Sequence, residues 1–194
     1  MAEKITLFKC EFVTGFLDVD LDILRNSAMD CYNNAKFMAE DSDDIRAEDV
    51  RIPYSHEVQR VVKTLESVWK KEYNEDIELC WQPGDSSDPN SAVWAVVHSY
   101  NQSTNLHSHE SPDNYSDGAY VSAAFWVHVP ENSGDFVFQY KPNPYTVEQH
   151  TISPKFGQFA MFDSTMPHYV TRNLSNDYRV VISMNFRKTI TEPG

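Results

Sequence analysis

The hydrophobic period of this chain changes near Glu78, and that change restricts the folds open to it. Ahead of it, Val58, Val61, Val62, Leu65, Val68 and Trp69 recur at three- and four-residue steps, the stripe of an amphipathic helix, with Ser55 placed to cap its start. Asp18 or Asp20 can cap an earlier helix running to about Ala39, after an opening strand from Ile5 to Phe12. Residues 40 to 52, rich in Asp and Glu, read as a solvated loop. Beyond Glu78 the apolar runs are short and broken by turn residues. The expected strands are Glu78 to Gln82, Ala92 to Asn101, Ala119 to Val129, Gly134 to Tyr140, Thr151 to Pro154, Gly157 to Phe162, His168 to Thr171 and Tyr178 to Phe186. Strands so spaced, with no helices between them, favour a sandwich or jelly roll over a parallel sheet, and the helical stripe needs a flat partner. The expectation is a mainly β fold with N-terminal helices covering one face.

Size and charge narrow the function. A chain of 194 residues suits one domain over 1–194, with helical support from 1–76 and a β core over 77–190. A net charge of −13 argues against nucleic-acid or anionic-membrane partners, which need basic patches, and leaves a small molecule or peptide as the expected substrate. The acidic surface slightly favours a neutral or cationic one. Cys10, Cys31 and Cys80 are odd in number and form no CxxC, so they read as buried free thiols of a reducing compartment. With no long apolar run and no signal-peptide pattern after Met1, the expected location is cytoplasmic.

Chemistry concentrates in two segments. His107 and His109 stand at alternate positions, so on extended chain both imidazoles look the same way. His168 begins a later apolar run, and the turn-rich stretch from Asn173 to Asp177 leads back through Arg179. If the two runs form a hairpin, Arg179 falls opposite His168 or one diagonal step away. His56, His98, His128 and His150 read as structural, with His98 alone able to line a pocket, beside Tyr100. Three imidazoles, or two with a carboxylate, bind one face of a divalent ion and leave positions for a bidentate organic acid and dioxygen. An arginine beside them matches a carboxylate with two parallel charge-assisted bonds, which a zinc site would not require. The other reading of Arg179 is a surface residue paired with Asp177. No phosphate loop, GxSxG or HExxH competes.

These residues fall in a recognisable order: Asn105-Leu106-His107-Ser108-His109, Ala119 to Val127, Ser133-Gly134-Asp135-Phe136, Gly157 to Phe162, Pro167-His168, Asn173, Arg179 and Ser183-Met184-Asn185-Phe186. Over roughly residues 92 to 188 the chain resembles the 2-oxoglutarate- and Fe(II)-dependent oxygenase superfamily, in particular a bacterial and phage branch with H-x-H in place of the usual H-x-D. The resemblance implies a double-stranded β-helix, a cupin-like jelly roll. It implies that His107 and His168 bind iron and that Arg179 holds the distal carboxylate of 2-oxoglutarate. The expected reaction is hydroxylation with release of succinate and carbon dioxide. His109 stands where the superfamily has Asp or Glu, leaving His109 or else Glu110 or Asp113 as the remaining ligand. Val181 replaces a serine common in relatives, and Tyr100 or Asn105 is the expected substitute contact to 2-oxoglutarate. Loop 102 to 117, ending at Gly118, is the expected lid. Two other classes stay open: a three-histidine cupin-type metalloenzyme not using 2-oxoglutarate, and a non-catalytic jelly-roll binding protein.

Overall fold

The computed structural model describes residues 10–38, 48–80, 93–109 and 118–189. Eleven strands and two helices follow one another as β1 (Phe12–Phe16), α1 (Leu21–Met38), β2 (Glu48–Arg51), α2 (His56–Tyr73), β3 (Ile77–Leu79), β4 (Val93–His98), β5 (Thr104–His107), β6 (Val121–His128), β7 (Phe136–Asn143), β8 (Thr146–Ile152), β9 (Gln158–Asp163), β10 (His168–Val170) and β11 (Arg179–Lys188). The strands form two antiparallel sheets: a seven-stranded one ordered β1-β9-β6-β11-β4-β2, with β3 also on β11, and a four-stranded one ordered β5-β10-β7-β8. This is the jelly roll expected, with both helices on the outer face of the larger sheet.

Period-2 alternation separates two cores. On β11, Val180, Ile182, Met184 and Phe186 turn outward into the cluster beneath the helices, while Arg179, Val181, Ser183 and Asn185 turn toward the smaller sheet. The α2 stripe of Val58, Val61, Val62, Leu65 and Trp69 is buried in the outer cluster. Each such side chain contributes about 1.5–3 kcal/mol when fully buried. Ser55 caps α2 by accepting from the Val58 N–H, and Asn74 ends it in the left-handed region at φ 56°. Asp20 caps α1 through the Ile23 N–H at 3.0 Å, while its own N–H donates to Glu57 at 2.8 Å, tying the start of one helix to the other. Between the sheets lies an aromatic cluster of Trp126, Phe136, Phe138 and Phe162 with Met166 and Val181.

Several expectations need correction. Residues 48–51 are not loop but strand β2, paired with β4. The opening strand is Phe12–Phe16 rather than Ile5 to Phe12, and residues 5–9 lie outside the described residues. The polar run Thr104–His107 is a strand that its composition hides. The three cysteines form no disulfide, but Cys10 is exposed and Cys31 and Cys80 are only half-buried. The largest correction concerns the expected hairpin: β10 pairs with β5 and β7, whereas β11 pairs with β4, β6 and β3, so the two strands belong to different sheets. The segment between them is a crossover built around Asn173, wholly buried, whose side-chain N–H groups donate to the carbonyls of His98 and Asp177.

Candidate metal and cosubstrate site

His107 and His168 are register partners across the β5–β10 pair. The next pair is Thr104 with Val170, so β5 spends one residue more than β10 between the two pairings and carries a bulge. Without it, Thr104 and His107, three apart, would face opposite sides. With it, both line the same cavity of about 460 Å³. His109 follows the strand end, where its N–H donates to the Ser164 carbonyl at 2.8 Å and fixes its backbone beside the turn that leads to His168.

One ligand nitrogen from each of His107, His109 and His168 falls within 4.8 Å of the others. His109 Nε2 and His168 Nε2 are 3.3 Å apart, close to the roughly 3 Å between adjacent ligands around an ion with bonds of about 2.1 Å. His107 Nδ1 lies 2.8 Å from the Asn105 carbonyl and His168 Nδ1 lies 2.9 Å from the Met166 carbonyl. A carbonyl only accepts, so each ring carries its proton on Nδ1 and turns the Nε2 lone pair to the common point. Burial pushes the His168 imidazole down to about 3 and that of His109 to about 4, with nearby imidazoles as lesser contributors. Both are neutral at physiological pH, the state a metal needs.

Arg179 is fully buried on the inner face of β11, in register with His98; His98 lines the cavity, and Arg179 itself lies behind that lining. Its Nη1 donates to the carbonyls of Ser133 and Gly134 at 3.3 Å each, while Nε and Nη2 have no partner. Burial draws the guanidinium down to about 9, partly offset by Asp135, so it remains a cation at neutral pH. A buried cation with two free donors leaves a strong demand for an anion, and a carboxylate satisfies both donors in one plane. His98 lies beside it with Nε2 2.9 Å from the Thr104 hydroxyl, and burial together with Arg179 holds its imidazole well below the usual range. Among the described residues lining the cavity there is no Asp or Glu; Arg51 is the one Arg or Lys there, at its rim on β2. The donor set and the unmatched guanidinium therefore fit a divalent ion and a dicarboxylate: His107, His109 and His168 could hold the first, and Arg179 the far end of the second.

The remaining expected positions resolve differently. Tyr100 is 62% exposed and Asn105 is also exposed, and neither lines the cavity; His98, the register partner of Arg179, and Thr104 line it instead. Asp177 pairs with His128 at 3.0 Å and not with Arg179. Glu110 and Asp113 lie outside the described residues, as does the second half of the expected lid, 110–117, and its first half contains strand β5. The sequence reading missed Thr104, Ser122 and Asn185. The signal available for Asn185 was its place on the same face of β11 as Arg179.

No family model matches the chain, and no curated protein is detectably similar in sequence. Solved structures are similar in fold. A Pseudomonas putida prolyl-4-hydroxylase superposes with a TM-score of 0.60 at 13% identity, covering 93% of this chain and 94% of that one. The non-heme alpha-ketoglutarate-dependent carbocyclase SnoK of nogalamycin biosynthesis gives 0.67 at 10% identity over 91% and 79%. HygX from Streptomyces hygroscopicus, solved with nickel and 2-oxoglutarate bound, gives 0.60 at 12% over 91% and 82%. The fold is thus the double-stranded β-helix shared by 2-oxoglutarate-dependent non-heme oxygenases. Among the described residues, no helix is long and apolar enough to cross a membrane.

Proposed function

We propose that the protein is an Fe(II)- and 2-oxoglutarate-dependent dioxygenase, a hydroxylase by default. The observation that carries this reading is the pairing of a three-imidazole cluster with the buried, half-unsatisfied Arg179 in one jelly-roll interior. When bound, the metal would supply dioxygen activation coupled to decarboxylation of 2-oxoglutarate to succinate. His107, His109 and His168 would hold the ion as neutral donors, and three protein ligands would leave room for small molecules to bind it. Arg179 would take the distal carboxylate through Nε and Nη2, next to its register partner His98, which bonds the Thr104 hydroxyl on the cavity wall. The aromatic walls Phe136 and Phe162 keep water from the reacting end.

Charge inside the cavity points away from a cationic substrate, since the described lining carries Arg51 and no carboxylate. A neutral or anionic small molecule or peptide suits it better. A three-histidine enzyme without 2-oxoglutarate would leave Arg179 Nε and Nη2 unmatched in the interior.

Anaerobic loading with Fe(II), followed by titration with 2-oxoglutarate, tests the proposal. The weak visible charge-transfer band of the chelate is expected, and succinate should form once oxygen is admitted. Iron uptake without that band would support the cupin-type alternative, and no iron uptake would leave a binding protein.

A further inference from the structure

Two of the three imidazoles are set for metal by backbone carbonyls, and the third is not. His109 Nδ1 meets no carbonyl; it faces the side-chain amide of Asn185, whose Nδ2 is 3.4 Å away. Asn185 is a register partner of Ser122 across β11 and β6, and its Oδ1 accepts from the Ser122 hydroxyl at 2.8 Å. In this arrangement Nδ1 of His109 is the acceptor, so the ring proton sits on Nε2. From there it points at His168 Nε2, 3.3 Å away, which is itself an acceptor because its Nδ1 proton is given to Met166. The network is complete, but it closes the His109 lone pair to a metal.

Resting on the metal reading above, we infer that Asn185 is a positioning residue that switches His109 between this closed tautomer and a ligating one by turning its amide over. Rotation by half a turn places Oδ1 on the His109 ring and Nδ2 on Ser122. The Ser122 hydroxyl allows both states, because it can donate to the amide oxygen or accept from the amide nitrogen. The ring then carries its proton on Nδ1, given to Asn185 Oδ1, and Nε2 becomes free to ligate. One proton leaves Nε2 and one is gained at Nδ1, so the imidazole stays neutral and no net proton is released. Neither carbonyl-bonded ring has such an alternative, and His109 is therefore the ligand whose availability the fold can set.

The test uses Co(II), read by its visible bands, on the whole chain, with thermal midpoints of the metal-free variants as a folding control. Asn185→Leu, which offers no acceptor, should weaken Co(II) binding on the order of 10–100-fold, as loss of an outer-sphere partner does. Asn185→Asp, which can only accept, should bind Co(II) at least as tightly as the wild type. Nitrogen-15 shifts of the His109 ring should report the Nε2–H form without metal and the Nδ1–H form after loading with Zn(II). Wild-type affinity in Asn185→Leu, equal weakness of the Leu and Asp variants in folded protein, or one tautomer in both states would overturn the inference. A wild type that takes up no Co(II) would instead overturn the metal site itself.

Discussion

Arg179 and His98 stand opposite one another in the β4–β11 pair, two buried nitrogen bases side by side in the interior. Only one of them can carry charge there. The guanidinium keeps its proton, and the imidazole beside it is held neutral. Arg179→Ala should therefore lose 2-oxoglutarate affinity on the order of thirty- to a thousand-fold, with Arg179→Lys recovering part, since an ammonium has no fork. Iron binding should be unchanged in the Lys variant. Equilibrium titration of the iron-loaded proteins reads both, and an unaltered 2-oxoglutarate constant in Arg179→Ala would rule the clamp out.

His168→Ala should abolish stoichiometric Fe(II) binding with the fold retained, and His109→Ala should do the same. Glu110→Ala and Asp113→Ala should keep the metal. Metal analysis after desalting decides it; retention by His109→Ala with loss in either carboxylate variant would assign the ligand to the acidic neighbours.

Acid should destabilise the metal-free protein. In the unfolded chain a histidine titrates near 6.5, whereas burial holds His109 and His168 at about 4 and about 3 in the folded one. Below about pH 6.5 the unfolded chain binds protons that the folded chain refuses. Stability is thus fully present above that pH and falls as pH drops toward 4, by an amount of order several kcal/mol in total. Urea midpoints at pH 7.5 and pH 5 check the slope, which His168→Ala should reduce. A midpoint that does not move would contradict the burial of these rings.

Gly134 has φ +88°, and a Cβ there would meet the Thr171 carbonyl at 2.5 Å and the Arg172 carbonyl at 2.7 Å. Its own carbonyl receives Arg179. Gly134→Ala should cost about 2 kcal/mol or more, from the backbone conformation alone and before the clash is counted. It should also disturb the guanidinium. Denaturant melting together with 2-oxoglutarate titration would reveal both, and a variant unchanged in both would show that the loop yields freely.

Local pattern revealed what is locally caused. The α2 stripe, its Ser55 cap and the pairing of His107 with His109 were legible because period and spacing act within a few residues. The partner of β10 was not. Turn residues from Asn173 to Asp177 suit a tight hairpin and a sheet-to-sheet crossover equally, and the choice is made by Asn173 bonding to His98 O, far away in sequence. Strands β2 and β5 escaped notice because charge and polarity fill them, and their pairing depends on neighbours that supply the missing apolar face. Arg179 faces the interior between the sheets, but from a different sheet than the hairpin spacing suggested.

The bulge on β5 gives the chain between Thr104 and His107 a property unlike that of its surroundings. The side chains of Asn105 and Leu106 are exposed, so their identities are nearly free. Their number is not. Removing either one would leave β5 able to pair with β10 yet send His107 to the outer surface, discarding a ligand without unfolding anything. At this point the molecule counts residues rather than reading them: a drift in sequence is silent there, while a drift in length would leave an intact jelly roll with its three-imidazole cluster broken.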